Sequence, residues 1–294
     1  MRYSYTQNMN FRERRIVAMN VRDPIPAVVE SDATGDIKDI FDDIKNVTGV
    51  DVVNLVWRRL ALTQNALPYL WAVLRPAYES GFINQQAVEF QNQLVIPKLP
   101  KFKDEILFAS GIDNLGKMTI NNILASYNRT NTINLIALQA ALITLTGGED
   151  VALEQTHKKV AGDSLLPMPR LPALSDLNPT LLSLVEELNS FGEEDGTIIA
   201  SMYRHLAYWP NYLALVKIAL EPLASSGELK RAIEKSREQS ANKALSLSKF
   251  LVPFSPSMSS LCFNEIKSVL ELFTRHPLSK MVVICGMLME ALEK

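Results

Sequence analysis

Cysteine is almost missing from this chain. Its 294 residues hold two, Cys262 and Cys285, and neither sits in a CxxC pair, which excludes a disulfide framework and a cysteine zinc site. A reduced, cytoplasmic setting is the corresponding expectation. Histidine is nearly as scarce, with His157, His205 and His276 far apart. No HExxH, no GxSxG and no GxGxxG in a strand-to-helix setting occurs, so zinc hydrolase, serine hydrolase and dinucleotide chemistry have no support. No metal and no cofactor is expected. Excess positive charge is also lacking: 30 Lys+Arg stand against 32 Asp+Glu, for a net charge of −2 and a pI near 6.0. Nucleic acid and anionic membrane are therefore not expected partners. No apolar run approaches the ~18 residues of a membrane span. Met281 to Leu292 is cut by Glu290 and reads as a buried helix, and Met1 to Asn20 has no apolar core of a secretory signal.

What the chain does have is a repeat. Val52 to Gly81 lies without a gap under Ile198 to Gly227 at an offset of 198 − 52 = 146, pairing Arg58 with Arg204, Leu60 with Leu206, Asn65 with Asn211 and Pro76 with Pro222. The offset holds further on, where Ile120, Leu124 and Arg129 meet Ile266, Leu270 and Arg275, and Tyr127 faces Phe273. Upstream, Ile37 to Ile44 resembles Leu181 to Leu188 at an offset of 144. The expected organisation is an arm at 1–34, a first helical repeat at 35–148, a proline-rich linker at 149–178 and a second repeat at 179–294.

Both repeats read as helical, because apolar residues recur at i, i+3 and i+4 while strand-like alternation is scarce. Asp36 to Lys45, Glu89 to Val95, Asp104 to Ala109, Thr119 to Tyr127 and Thr132 to Leu145 are the helices expected in the first, with helix, break, helix across Val52 to Gly81. The second should run Leu181 to Leu188, Ile198 to Tyr208 behind an N-cap at Thr197, a helix opened by Pro210, Glu228 to Leu247, Asn264 to Phe273 and Leu278 to Leu292. Residues 1–34 read as an extended arm on the surface or across the second repeat.

Several stretches have a chemical and a plainer reading. Gly111 to Met118, GIDNLGKM, falls short of a phosphate-binding loop, since Met118 stands where a magnesium-ligating hydroxyl belongs and no strand precedes it. The acidic run Glu193-Glu194-Asp195 reads as a solvated turn in preference to a cation site. His205 follows Met202 by one helical turn, amid Tyr203, Arg204 and Tyr208, and is the best general-base candidate by residue type, against the alternative of a satisfied core histidine. Arg58 and Arg204 are either structural or suited to holding a carboxylate in paired hydrogen bonds.

Gly35-x-Ile37, Phe41-Asp42-Asp43-Ile44-Lys45 and above all Ala200-Ser201 through Leu206-Ala207-x-Trp209-Pro210 make the chain resemble the group I (D,L-) 2-haloacid dehalogenases over nearly all of its length from residue 35. The resemblance implies an all-α fold in which two similar halves form an intertwined pseudo-dimer around a buried site. It also implies direct displacement of halide by a water that an aspartate activates and an asparagine helps to hold. The asparagine falls on Asn131, within Tyr127-Asn128-x-x-Asn131, and the serine that precedes the aspartate falls on Ser201. The aspartate itself falls on Met202, whose thioether cannot accept water's proton. Asn131, Ser201 and His205 are the catalytic candidates, although Asn131 is equally readable as a helix cap. Val52, Leu55, Met202, Tyr203 and Asn128 are expected to bound the substrate, Val52 and Leu55 standing where the family has aromatics. The expected partner is a small organic acid, and homodimerisation is left open. The leading expectation is an enzyme with altered chemistry. Its alternatives are a non-catalytic ligand-binding or scaffold protein, and a dehalogenase with a relocated base.

Overall fold

The computed structural model describes residues 25–147, 168–193, 198–254 and 257–292. Among them the architecture is all-α, with no strand and one isolated parallel bridge between Phe102 and Leu292. In chain order, α1 is Gly35–Thr48, α2 Leu55–Leu60, α3 Ala66–Glu79, α4 Phe82–Gln93, α5 Asp104–Ala109 and α6 Asn114–Leu145. After the linker come α7 Pro179–Ser190, α8 Ser201–Leu206, α9 Pro210–Ser225, α10 Glu228–Ser248, α11 Ser260–Phe273 and α12 Ser279–Ala291.

Helix boundaries recur along the chain. α2 and α8 differ by 201 − 55 = 146 at the start and 206 − 60 = 146 at the end, and α6 stands to the span from α11 through α12 as 260 − 114 = 146 and 291 − 145 = 146. In the second span a π-helical turn, Thr274–Leu278, joins the two helices. Pro277 inside it has no N–H to donate, and its ring crowds the carbonyl one turn back, so the ladder widens there. In α6 the matching position is Asn131, and the helix runs through unbroken.

Buried residues form two cores that do not follow the chain. The first holds α1 to α4 together with Ile133 to Leu145 of α6 and Cys262 to Phe273 of α11. The second holds α7 to α9 together with Ile120 to Tyr127 of α6 and Met281 to Ala291 of α12. Each long helical span thus begins in one core and ends in the other. Its crossing point is polar: Ser126, Thr130, Asn131, Thr132 and Asn134 of α6 are all buried.

Three expectations need correction here. Thr119 to Tyr127 and Thr132 to Leu145 are one helix, α6. Asn128, Thr130 and Asn131 have low helix propensity, but burial of Thr130 and Asn131 between two cores overrides it, and Thr132 returns its hydroxyl to the Asn128 carbonyl at 2.7 Å. The helix expected from Ile198 starts at Ser201, capped at Ala200, because Asn189 holds Ile198 to Ala200 extended by donating to the Ile198 carbonyl and accepting from the Ala200 N–H. Thr197 and His157 lie outside the described residues. Residues 25–34 of the arm pack on the first repeat, where Val28 N–H donates to the Arg58 carbonyl and Glu30 accepts from Val53 N–H and pairs with Lys45. Gly111 to Met118 is the start of α6, with Asp113 accepting from Gly116 N–H at 2.7 Å as an N-cap.

Candidate functional site

Where the two cores meet, the short helices α2 and α8 both begin on the wall of one cavity of about 60 Å³. A water needs roughly 10–15 Å³ on this measure, so the space holds about four to six waters or one small organic molecule. Seven pairs of lining residues stand 146 apart, among them Val52 with Ile198, Leu55 with Ser201, Val56 with Met202, Tyr127 with Phe273, and Asn131 with Pro277. The lining thus pairs positions 146 apart, and its polar groups are unevenly spread. α6 contributes Ser126, Tyr127, Thr130 and Asn131, while the second half presents Phe273, Pro277, Leu278 and Met281. No Asp or Glu lines the cavity among the described residues.

Met202 is fully buried, and the Cys285 thiol points at its sulfur at 3.3 Å, a soft apolar contact where a carboxylate would need donors. Burial pushes the Cys285 thiol well above the usual range, so it stays protonated. Asn131 is 6% exposed, and its side-chain Nδ2 meets no nitrogen or oxygen acceptor, its polar neighbour being the weakly accepting Cys285 sulfur. A buried donor so poorly matched is available to a bound acceptor.

Behind this wall lies a proton-bearing pair. His205 Nε2 is 2.9 Å from the Pro169 carbonyl oxygen and Nδ1 is 2.7 Å from Tyr127 Oη. A carbonyl only accepts, so Nε2 carries the hydrogen and Nδ1 accepts from the Tyr127 hydroxyl. Burial pushes the His205 pKa down from 6.5 to about 4, helped by the Arg204 guanidinium and opposed by the Pro169 carbonyl. Burial raises Tyr127 against the pull of Arg204, Arg58 and a Ser201 hydrogen bond. The two guanidiniums are anchored to backbone: Arg58 Nε donates to the Val53 carbonyl at 3.1 Å, and Arg204 grips the Pro172 carbonyl through Nε and Nη2 at 2.9 and 2.7 Å. Arg58 also borders a neighbouring cleft of about 730 Å³, which shares Val52 and Met168 with the cavity and is lined further out by Lys45, Asp51 and Arg170.

Of the residues singled out from sequence, Val52, Leu55, Asn131, Ser201 and Met202 line the cavity. His205, Tyr203 and Asn128 do not. His205 stands one layer back, behind Tyr127. Tyr203 points into the second core, fully buried with no partner for its hydroxyl. Asn128 is half-buried and offers its carbonyl to Gln91 and Thr132. Tyr127 was missed as a site residue, though its place opposite Phe273 in the repeat and inside the Tyr127-Asn128-x-x-Asn131 motif was the available signal. Of the acidic run, Glu193 is not solvated: its side chain is 6% exposed and pairs with Lys280 at 2.8 Å, while Glu194 and Asp195 lie outside the described residues.

The neutral His205 has a consequence for stability. Its folded pKa lies below its unfolded one, so its contribution is complete above pH ~6.5 and is lost as pH falls toward about 4, where the unfolded chain binds a proton that the folded chain refuses. The expected loss over that window is on the order of 3 kcal/mol. Urea unfolding at pH 7, 5.5 and 4.5 checks it, and His205→Gln should flatten the dependence.

No family model matches the chain. A configuration-inverting 2-haloacid dehalogenase from Alcaligenes xylosoxydans xylosoxydans is 27% identical over 224 residues, covering 72% of this chain and 73% of the relative. The chain is a distant homologue of a 2-haloacid dehalogenase. Two solved structures agree in fold. A D-2-haloacid dehalogenase mutant in complex with D-2-CPA superposes with a TM-score of 0.72 at 19% identity, covering 91% of this chain and 95% of its own. A D-2-haloacid dehalogenase with L-LA gives 0.72 and 19%, over 91% and 96%. At that identity they establish the shared all-α fold.

Proposed function

We propose that this chain is a divergent 2-haloacid-dehalogenase-like enzyme that acts on a small organic acid in the cavity, with Met202 in place of the water-activating aspartate. The two halves, 35–148 and 179–294, are then copies of one repeat forming an intertwined pseudo-dimer, and the site lies on their common axis. The observation that carries this reading is the set of polar residues that meet in a largely apolar cavity: Ser126, Tyr127, Thr130 and Asn131 from α6, with Arg58 and Ser201 nearby. Its size suits an acid of two or three carbons. Arg58, which lines the cavity, suits a carboxylate. Neither a metal nor a cofactor is called for, and the setting is taken to be cytoplasmic.

The absent carboxylate favours a second reading, in which the cavity binds such an acid without turning it over. General-base assistance is worth ~10²–10⁴ in rate, so its loss alone could silence the family reaction. Calorimetry with both enantiomers of 2-chloropropionate and with propionamide, alongside halide and hydroxyacid analysis, separates the two. Saturable binding of the acids with slow product formation is the expected result. Binding without product supports the second reading, and propionamide binding as well as the acids, or no binding at all, contradicts both.

A further inference from the structure

We propose that Tyr127 takes the proton of the attacking water and hands its own to His205, so that the tyrosine–histidine pair replaces the missing carboxylate. This rests on the reading of the cavity as an organic-acid site. Among the lining residues only Arg58 and Tyr127 are titratable, and a guanidinium has no acceptor to offer. Tyr127 is thus the one lining residue that carries a titratable acceptor, and its hydroxyl already donates to the His205 Nδ1 at 2.7 Å.

In the step, water oxygen bonds to the carbon bearing the leaving group, and the carbon–leaving-group bond breaks with both electrons on the leaving group. Water's proton moves to Tyr127 Oη as the Tyr127 proton moves to His205 Nδ1. The products are the hydroxyacid, the departed anion and an imidazolium, which returns its proton through Tyr127 to cavity water. The imidazolium is accommodated by hydrogen bonds already present, Nδ1–H to Tyr127 Oη and Nε2–H to the Pro169 carbonyl 2.9 Å away. Charged and titratable groups reach the pair from three helices: Arg204 beside His205 on α8, Arg58 on α2, and Cys285 on α12. Arg204 disfavours the imidazolium, and both guanidiniums favour negative charge on Tyr127 Oη. Tyr127 is the catalytic residue in this scheme, and His205 acts through it.

The test uses the full chain with 2-chloropropionate. In ¹⁵N spectra at neutral pH, His205 should be the Nε2–H tautomer. Tyr127→Phe, which keeps the ring's shape, and His205→Gln should each lower kcat for halide release by ~10²-fold or more while KM stays within about twofold. The acid limb of the kcat profile should vanish in both. An Nδ1–H tautomer, variant rates within about threefold of the native, or native binding with no turnover overturns the relay and leaves the cavity reading standing. Absence of binding overturns both.

Discussion

Replacing Lys280 with methionine is expected to destabilise the fold by about 3–5 kcal/mol, the cost of leaving a buried charge without its partner. Lys280 opens α12 with no exposed side chain, and its Nζ donates to the Asn189 carbonyl at 2.7 Å and to Glu193 Oε2 at 2.8 Å. Burial pulls the Lys280 pKa down and Glu193 holds it up, so the ammonium depends on that carboxylate. Asn189 is also the residue that holds Ile198 to Ala200 extended. The ion pair therefore supports the strand of chain that leads into Ser201 and Met202. Urea unfolding of Lys280→Met, Glu193→Gln and the double variant measures the effect. The double variant should be less destabilised than the two single losses summed, by about 1 kcal/mol or more. A cost below about 1 kcal/mol for Lys280→Met would show that the pair is not holding this region together.

The second large effect is a gain. Met202→Asp should raise halide release from 2-chloropropionate by ~10²-fold or more over the native protein, within the range that a positioned general base supplies. Position 202 has no solvent exposure, so a carboxyl there has a raised pKa and a strong tendency to take a proton. Asn131 and Ser201 line the same cavity. The substitution should also cost stability, because the Cys285 thiol is the contact beside Met202 that the structure provides. A folded variant that binds the acid yet releases no halide would mean that the cavity no longer presents the acid to position 202.

Much of the fold is legible in the amino-acid sequence. The helical class followed from apolar spacing, and the 146-residue offset between α2 and α8 is written in the matched Arg58/Arg204 and Leu60/Leu206 positions. The break expected inside α6 was not there, because local propensity at Asn128 to Asn131 knows nothing of the two cores that bury Thr130 and Asn131. Ile198 and Ile199 read as helix because a buried extended segment and a buried helix turn are equally apolar; what sets them apart is the Asn189 amide, nine residues from Ile198. His205 was recognisable by its chemistry, but which ring lies between it and the cavity depends on how α6 crosses α8. Tyr127 is that ring, and sequence spacing of 78 residues gives no hint of their contact.

The most direct measurement is a ¹⁵N NMR titration of the native protein with 2-chloropropionate, following the side-chain amide of Asn131. The cavity reading predicts a saturable shift of that resonance, accompanied by the His205 ring, with propionamide leaving both in place. Binding that moves neither Asn131 nor His205, or no binding at millimolar acid, would contradict it.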